Sequence, residues 1–218
     1  MHYICSILEM ELTMNFLEFK DQMFDLACFN VHQVYAWKPD FDRNNLTRWV
    51  HKGYLTRLRQ GYFAFSDYKN KPDYSFYFAN RIYSPSYISL HTALAFYGMI
   101  PESVVQIVNV ATMKTTSFHN SFGDYSYHQI KQKLMFGYEL KPMADTRTIQ
   151  FATPEKALLD LLYLYPFYHN EQELEELRLD EAYMCDDLNK DLLTVYCDKF
   201  QSKALEHRVK LLFKIYNL

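Results

Sequence analysis

The sequence predicts an α+β protein: an N-terminal helical domain with a β-hairpin over residues 1–70, then a mixed α/β C-terminal domain over 71–218 that ends in helices. Three observations predict it. A chain of 218 residues is long enough to bury two small cores. Helical spacing, caps and a glycine-closed hairpin succeed one another from Asn15 to Ser66. Beyond Ser84-Pro85, strand-like runs rich in β-branched and aromatic residues mix with helical ones.

Asn15 and Glu18 fit a capping box, and Phe16, Phe19, Met23 and Leu26 recur at helical spacing, which gives a first helix ending near Cys28. Asn30 and Gln33 repeat the capping pattern ahead of a short helix that carries Val31, Val34 and Tyr35 and stops before Pro39. Asp42 caps the third helix, with Phe41 and Leu46 at the two positions of a hydrophobic staple and Gly53 as its left-handed terminator. Tyr54–Leu58 and Tyr62–Phe65 then form a hairpin through a three-residue connection, Arg59-Gln60-Gly61. Asp67–Asp73, with Pro72, is the exit from the domain, and Tyr74–Ile82 is a short connecting helix.

In the second domain Ser89 caps a helix from Leu90 to Tyr97 that Gly98 stops. Strands are expected at Val104–Val110, at Tyr125-Ser126-Tyr127, at Phe136–Leu140 and at Thr148–Ala152. Thr153-Pro154-Glu155 combines a cap, an N1 proline and an early acid, a strong helix start, and Ala157, Leu158, Leu161 and Leu162 follow as a buried stripe. Residues from Glu171 to Leu218 read as about three helices.

Hydrophobic residues at 49% and charged residues at 22% are globular values. The many Tyr (19) and Phe (17) are the means by which small cores gain burial per residue. No apolar run is long enough to span a bilayer, and the first thirteen residues lack a basic leader and a small-residue cleavage site, so the expected compartment is the cytoplasm. Met14, directly before the first helix, is a candidate start codon. Cys5, Cys28, Cys185 and Cys197 have no metal-like spacing to one another or to histidine, and read as reduced, buried thiols. No metal or other cofactor is expected.

With a net charge of −3, affinity for nucleic acid would have to come from a local patch. Between Arg43 and Lys71 the charges are Arg43, Arg48, Lys52, Arg57, Arg59, Lys69 and Lys71 against Asp67 alone. The balance reverses from Glu171 to Asp191, where nine acids face Arg178 and Lys190, as expected of a solvated helical face.

Three helices followed by a tight hairpin is the order of a winged helix-turn-helix, and the third helix would read DNA. With Leu46, Trp49 and Val50 inward, Asn44, Arg48 and His51 face outward, flanked by Asn45, Thr47 and Lys52, beside Arg43 at the helix start. Asn offers two hydrogen bonds to adenine and Arg two to guanine, the chemistry of major-groove readout. Arg57, Arg59 and Gln60 at the hairpin tip would meet phosphate or the minor groove, and amides near Asn30 would hold a further phosphate. About five neutralised phosphates would give log K against log salt a slope near −4 to −5. Lys114, Lys131, Lys133 and Arg147 are candidates for a basic face on the second domain, with scattered surface lysines as the plainer account.

The stretch from Phe41 through Gly53-Tyr54-Leu55 to Gly61-Tyr62-Phe63 resembles the N-terminal domain of the AbiEi antitoxin family. Tyr87-Ile88-Ser89-Leu90, Ala93-Leu94, Tyr97-Gly98, Phe122-Gly123, Tyr125-Ser126-Tyr127, Phe136-Gly137-Tyr138 and Thr153-Pro154-Glu155-Lys156-Ala157-Leu158-Leu159-Asp160 are similar to that family's recurring signature. The resemblance covers roughly residues 15 to 165. It implies a bacterial antitoxin of a type IV toxin-antitoxin pair, linked to abortive infection. Such a protein represses its own operon through double-stranded operator DNA and counteracts a nucleotidyltransferase-like toxin, usually without a stable complex.

Enzyme readings find little purchase. Asp145 with Glu155-Lys156 faintly resembles the acid-acid-lysine set of restriction-type nucleases, but adjacent Glu and Lys at a helix start do not point the same way. His32, His51, His91, His119, His128 and His169 have neither metal spacing nor a nucleophile motif beside them. The alternative to an antitoxin is a ligand-responsive winged-helix transcription factor, its pocket lined by Tyr74, Tyr77, Tyr83 and Tyr87.

Overall fold

The computed structural model describes residues 15–102 and 105–218, so the candidate start codon Met14, the segment ahead of it and the candidate thiol Cys5 lie outside the described residues. Asn15 caps α1 (Phe16–Met23) by accepting from the Leu17 amide at 3.1 Å, one residue short of the Glu18 contact that a capping box requires. A single 3-10 turn and Ala27, at φ 57°, then redirect the chain into β1 (Cys28–Asn30). This strand was not expected, because Asn30 announces the next helix so clearly that the three residues before it read as a connection. The capping box at Asn30 and Gln33 is complete and opens α2 (Val31–Trp37). Asp42 accepts from the Asn44 amide at 2.9 Å ahead of α3 (Asn44–His51), and Gly53 at φ 75° follows it.

β2 (Leu55–Arg59) and β3 (Tyr62–Phe65) close a hairpin tighter than the expected three-residue one. Arg59 pairs with Tyr62, so only Gln60 and Gly61 turn the corner, and a register shift between Arg57 and Arg59 absorbs the extra residue. Antiparallel pairing of β1 with β3 gives a three-stranded sheet in the order β1-β3-β2. Phe19 is the centre of the core, 4.6 Å from Trp49, 5.4 Å from Phe29, 5.7 Å from Phe41 and 5.9 Å from Phe65 between ring centroids. Five large rings thus supply what a short domain lacks in residue number.

Contacts divide the chain into two units. The first runs to Tyr74 and takes in Asn120–Phe122; the second comprises Ser75–His119 and Gly123–Leu218. The break falls just past the expected boundary at residue 70, at the first residue of α4 (Tyr74–Ile82).

The second unit is built on a six-stranded mixed sheet. In chain order its strands and helices are β4 (Ser86–Ile88), α5 (Leu90–Phe96), β5 (Gln106–Ala111), β6 (Thr116–Asn120), β7 (Gly123–Gln129), β8 (Tyr138–Pro142), β9 (Thr148–Ala152) and α6 (Pro154–Leu164). Three further helices, α7 (Glu171–Glu175), α8 (Lys190–Phe200) and α9 (Lys203–Tyr216), follow, with a π-helical turn at Tyr183–Asp187 between the first two. The strand order is β6-β7-β5-β4-β9-β8. β4 lies parallel to β9 and β5 parallel to β7, while β4–β5 and β8–β9 are antiparallel. Thr153 caps α6 through the Lys156 amide, with Pro154 at the first helical position as its sequence requires. β4 and β6 went unanticipated: the first has three residues, and in the second Ser117 and His119 dilute the strand signal. α5 and α8 both pack on α6, whose residues from Glu155 to Leu162 are all buried.

Candidate nucleic-acid interface

A helix of 3.6 residues per turn sorts the residues of α3 by face. Leu46 and Trp49 are buried, Val50 is half-buried, and Arg43, Asn44, Thr47, Arg48, His51 and Lys52 are exposed. Asn45 is a correction: it is 4% exposed and unavailable to any groove. Four residues before Trp49, it lies on the inward face, and its Oδ1 accepts from an Arg48 Nη2 hydrogen. The same guanidinium stands 4.0 Å from Asp42 Oδ2, so Arg48, with its side chain 53% exposed, is steadied from two sides. A fixed rotamer costs less entropy when it meets a partner.

In the hairpin, Arg57 is exposed and lies over the Phe63 ring at 5.7 Å; Arg59 is half-buried, 5.1 Å from the Tyr62 ring; Gln60 is exposed at the turn. Neither α3 nor the hairpin contains an acidic residue. The start of α2 is a second correction. The Asn30 amide donates to Gln33 Oε1, the Val31 amide to the Gly61 carbonyl and the Gln33 amide to Asn30 Oδ1, so these amides are already spent within the chain rather than offered to phosphate.

The four cations suggested as a basic face of the second unit do not gather. Lys114 follows β5 toward the β6 edge of the sheet, whereas Arg147 precedes β9 near the β8 edge and pairs with Asp145. Lys131 is exposed, and exposed Lys133 donates to Gln201 Oε1 at 2.8 Å. The plainer account, scattered surface cations, describes them.

The faint nuclease set is similarly dispersed. Glu155 is buried and accepts from the Asn189 amide, Asp145 pairs with Arg147, and Lys156 points elsewhere. Lys156 Nζ forms an ion pair with Asp160 Oδ1 one helical turn on and donates to the Tyr87 hydroxyl at 2.6 Å. Tyr87 and Ser89 both donate to Asp160 Oδ2 at 2.8 Å. All four side chains are buried at 0% exposure. Ser89 therefore spends its hydroxyl on this cluster instead of capping α5, which has no side-chain cap bond. Burial pushes the Lys156 ammonium below its usual range while Asp160 pulls it back; the Tyr87 phenol is pushed well up by burial first and by Asp160 second. The sequence hides this cluster because the ionic pair sits inside a leucine stripe; its one signal was the i, i+4 spacing of Lys156 and Asp160.

Each of the four tyrosines suggested as lining a ligand pocket packs against another aromatic ring. Tyr74 meets Tyr68 at a tilt and Tyr77 meets Phe78 edge-on, Tyr83 is tilted against Phe118 and Tyr127, and Tyr87 stacks on Tyr138. Among the cysteines, Cys28 and Cys197 are buried as expected, with burial raising the Cys197 thiol to about 11, but Cys185 is exposed. Among the described residues no group of three or more His, Cys, Asp or Glu side chains is arranged to hold a metal ion, and no helix is long and apolar enough to cross a membrane. Neither a protein-family model nor a curated protein sequence matches the chain.

Proposed function

We propose that the chain is a cytoplasmic, non-enzymatic regulator: its first unit a winged helix-turn-helix that binds an operator upstream of its own gene, its second unit an antitoxin domain that counteracts a nucleotidyltransferase-like toxin. The observation that carries the DNA half is the sorting of α3. Asn44, Thr47, Arg48 and His51 are exposed on the side opposite Leu46 and Trp49, and Arg48, Lys52, Arg57 and Arg59 cluster on the helix end and the adjoining hairpin against one neighbouring carboxylate, Asp42, 4.0 Å from Arg48. A local excess of cations on a chain of net negative charge is a surface suited to attract an anion. A hairpin that follows three helices and is joined by one further strand, in the order β1-β3-β2, supports this reading. The antitoxin half rests on the resemblance of the second-unit motifs to the AbiEi family.

Arg48→Ala is expected to weaken specific binding by roughly 1 to 3 kcal/mol and to relax base preference at one position. Arg57→Ala, at an exposed hairpin cation, is expected to weaken all sequences alike. Fluorescence anisotropy of both variants on operator and scrambled duplexes checks this; equal, sequence-blind losses would remove the recognition role of Arg48. For the antitoxin half, co-expression with the neighbouring gene should rescue growth if that gene encodes the toxin. Absence of a nucleotidyltransferase-like neighbour, together with failure to rescue, would leave a plain repressor.

A further inference from the structure

β8 forms one end of the six-stranded sheet, with β9 on one side and no strand on the other among the described residues. Its free edge can be read from two hydrogen bonds. The Gly137 carbonyl accepts from the Thr153 amide and the Met143 amide donates to the Arg147 carbonyl, both at 2.9 Å, so odd-numbered residues turn their backbone toward β9. By the alternation of an antiparallel ladder, Tyr138, Leu140 and Pro142 turn theirs outward. Leu140 is 60% exposed and Tyr138 38%.

Edges of this kind are commonly protected by an outward lysine. Lys141 does not serve that purpose, because its ammonium is folded back over the rings of Phe96, Tyr97 and Phe151 at 4.9 to 5.9 Å and pairs with Glu139 at 2.7 Å. The sequence Tyr138-Glu139-Leu140-Lys141-Pro142 is also complementary to itself in reverse. Laid antiparallel about Leu140, it sets Leu140 opposite Leu140, each Glu139 opposite a Lys141, and each Tyr138 opposite a Pro142. Opposite charges directly across a strand pair stabilise it, whereas like charges disfavour it.

We propose that β8 is a homodimer interface, pairing antiparallel with β8 of a second copy about a two-fold axis at Leu140. Leu140 would exchange both its backbone hydrogen bonds with its counterpart, and each Tyr138 amide would donate to a Pro142 carbonyl. Pro142 has no N–H, so the ladder ends there after four bonds. Glu139 and Lys141, on one face, would join their counterparts in a four-charge ladder, with the half-exposed ring of Phe96 beneath Lys141 adding apolar area. The assignment is independent of DNA binding.

Sedimentation equilibrium of the full chain tests it. The wild type should approach twice the 26.2 kDa chain mass as concentration rises through the micromolar range. Glu139→Lys and Lys141→Glu each place like charges opposite one another and should weaken the dimer at least about tenfold, the effect of 1.4 kcal/mol. An equimolar mixture of the two variants restores every opposite pair and should dimerise again. Leu140→Pro removes only an outward N–H and should give a folded monomer by circular dichroism, which keeps the test open if a charge variant misfolds. A wild type that stays monomeric, a Leu140→Pro chain that dimerises normally, or folded charge variants that fail to recover on mixing would overturn the proposal.

Discussion

Asp160→Ala is expected to destabilise the second unit by about 3 to 5 kcal/mol, the largest effect of any single substitution considered. The substitution leaves the Lys156 ammonium at 0% exposure with the Tyr87 hydroxyl as its remaining polar contact from the cluster, and it removes the acceptor of both Tyr87 and Ser89. Lys156→Met should be milder, because the carboxylate keeps its two hydroxyl donors. The double variant Lys156→Met/Asp160→Leu should lie above Asp160→Ala in stability, since the stranded charge is gone, yet below the wild type, since two buried hydroxyls still lack an acceptor. Urea unfolding followed by far-ultraviolet circular dichroism measures the order. Tryptophan fluorescence is the internal control, because Trp37 and Trp49 both belong to the first unit. Equal stability of all four chains would mean that the cluster contributes nothing to the second unit.

Gly137→Ala is expected to cost about 2 to 4 kcal/mol for two additive reasons. Gly137 has φ +69°, where a Cβ is strained, and that Cβ would lie 2.9 Å from Tyr196 Cε2 and 3.0 Å from both Cβ and Cγ of Lys156. The neighbours have little room to yield: Tyr196 packs on Phe136 at 5.2 Å, and Lys156 is fixed by its ion pair. Gly61→Ala is the matched comparison. Gly61 has φ +80° but open space around its Cβ position, so only the backbone strain of roughly 1 kcal/mol should appear. Thermal unfolding of the two variants separates close approach from conformation; equal losses would show that packing around Gly137 is not tight.

Much of the architecture was legible because it is written in local chemistry. Asn30 with Gln33, Asp42 ahead of α3, Gly53, Gly61 and Thr153-Pro154 each act on backbone groups within a few residues, and each appears where its residue type demands. What was not legible depends on partners distant in sequence. β1 exists because β3 lies beside it, and β4 because β5 and β9 flank it. The candidate site divides in the same way. Helical periodicity assigns Asn44 and Arg48 to one face, but the same periodicity put Asn45 on a flank, whereas its place four residues before Trp49 turns it inward. The buried cluster was missed for the converse reason: in Lys156 and Asp160 two charged residues occupy core positions, which residue type alone argues against and only Tyr87 and Ser89, from another part of the chain, make tolerable.

The proposed DNA binding depends above all on the cations of α3 and the hairpin engaging the duplex as a polyanion. Its most direct test is the binding of the wild-type chain to a duplex from the region upstream of its own gene, measured over a range of salt concentrations. A log–log slope near −4 to −5, with specific binding surviving at physiological salt, is the predicted result. A slope near zero, or no binding at low salt, would contradict it.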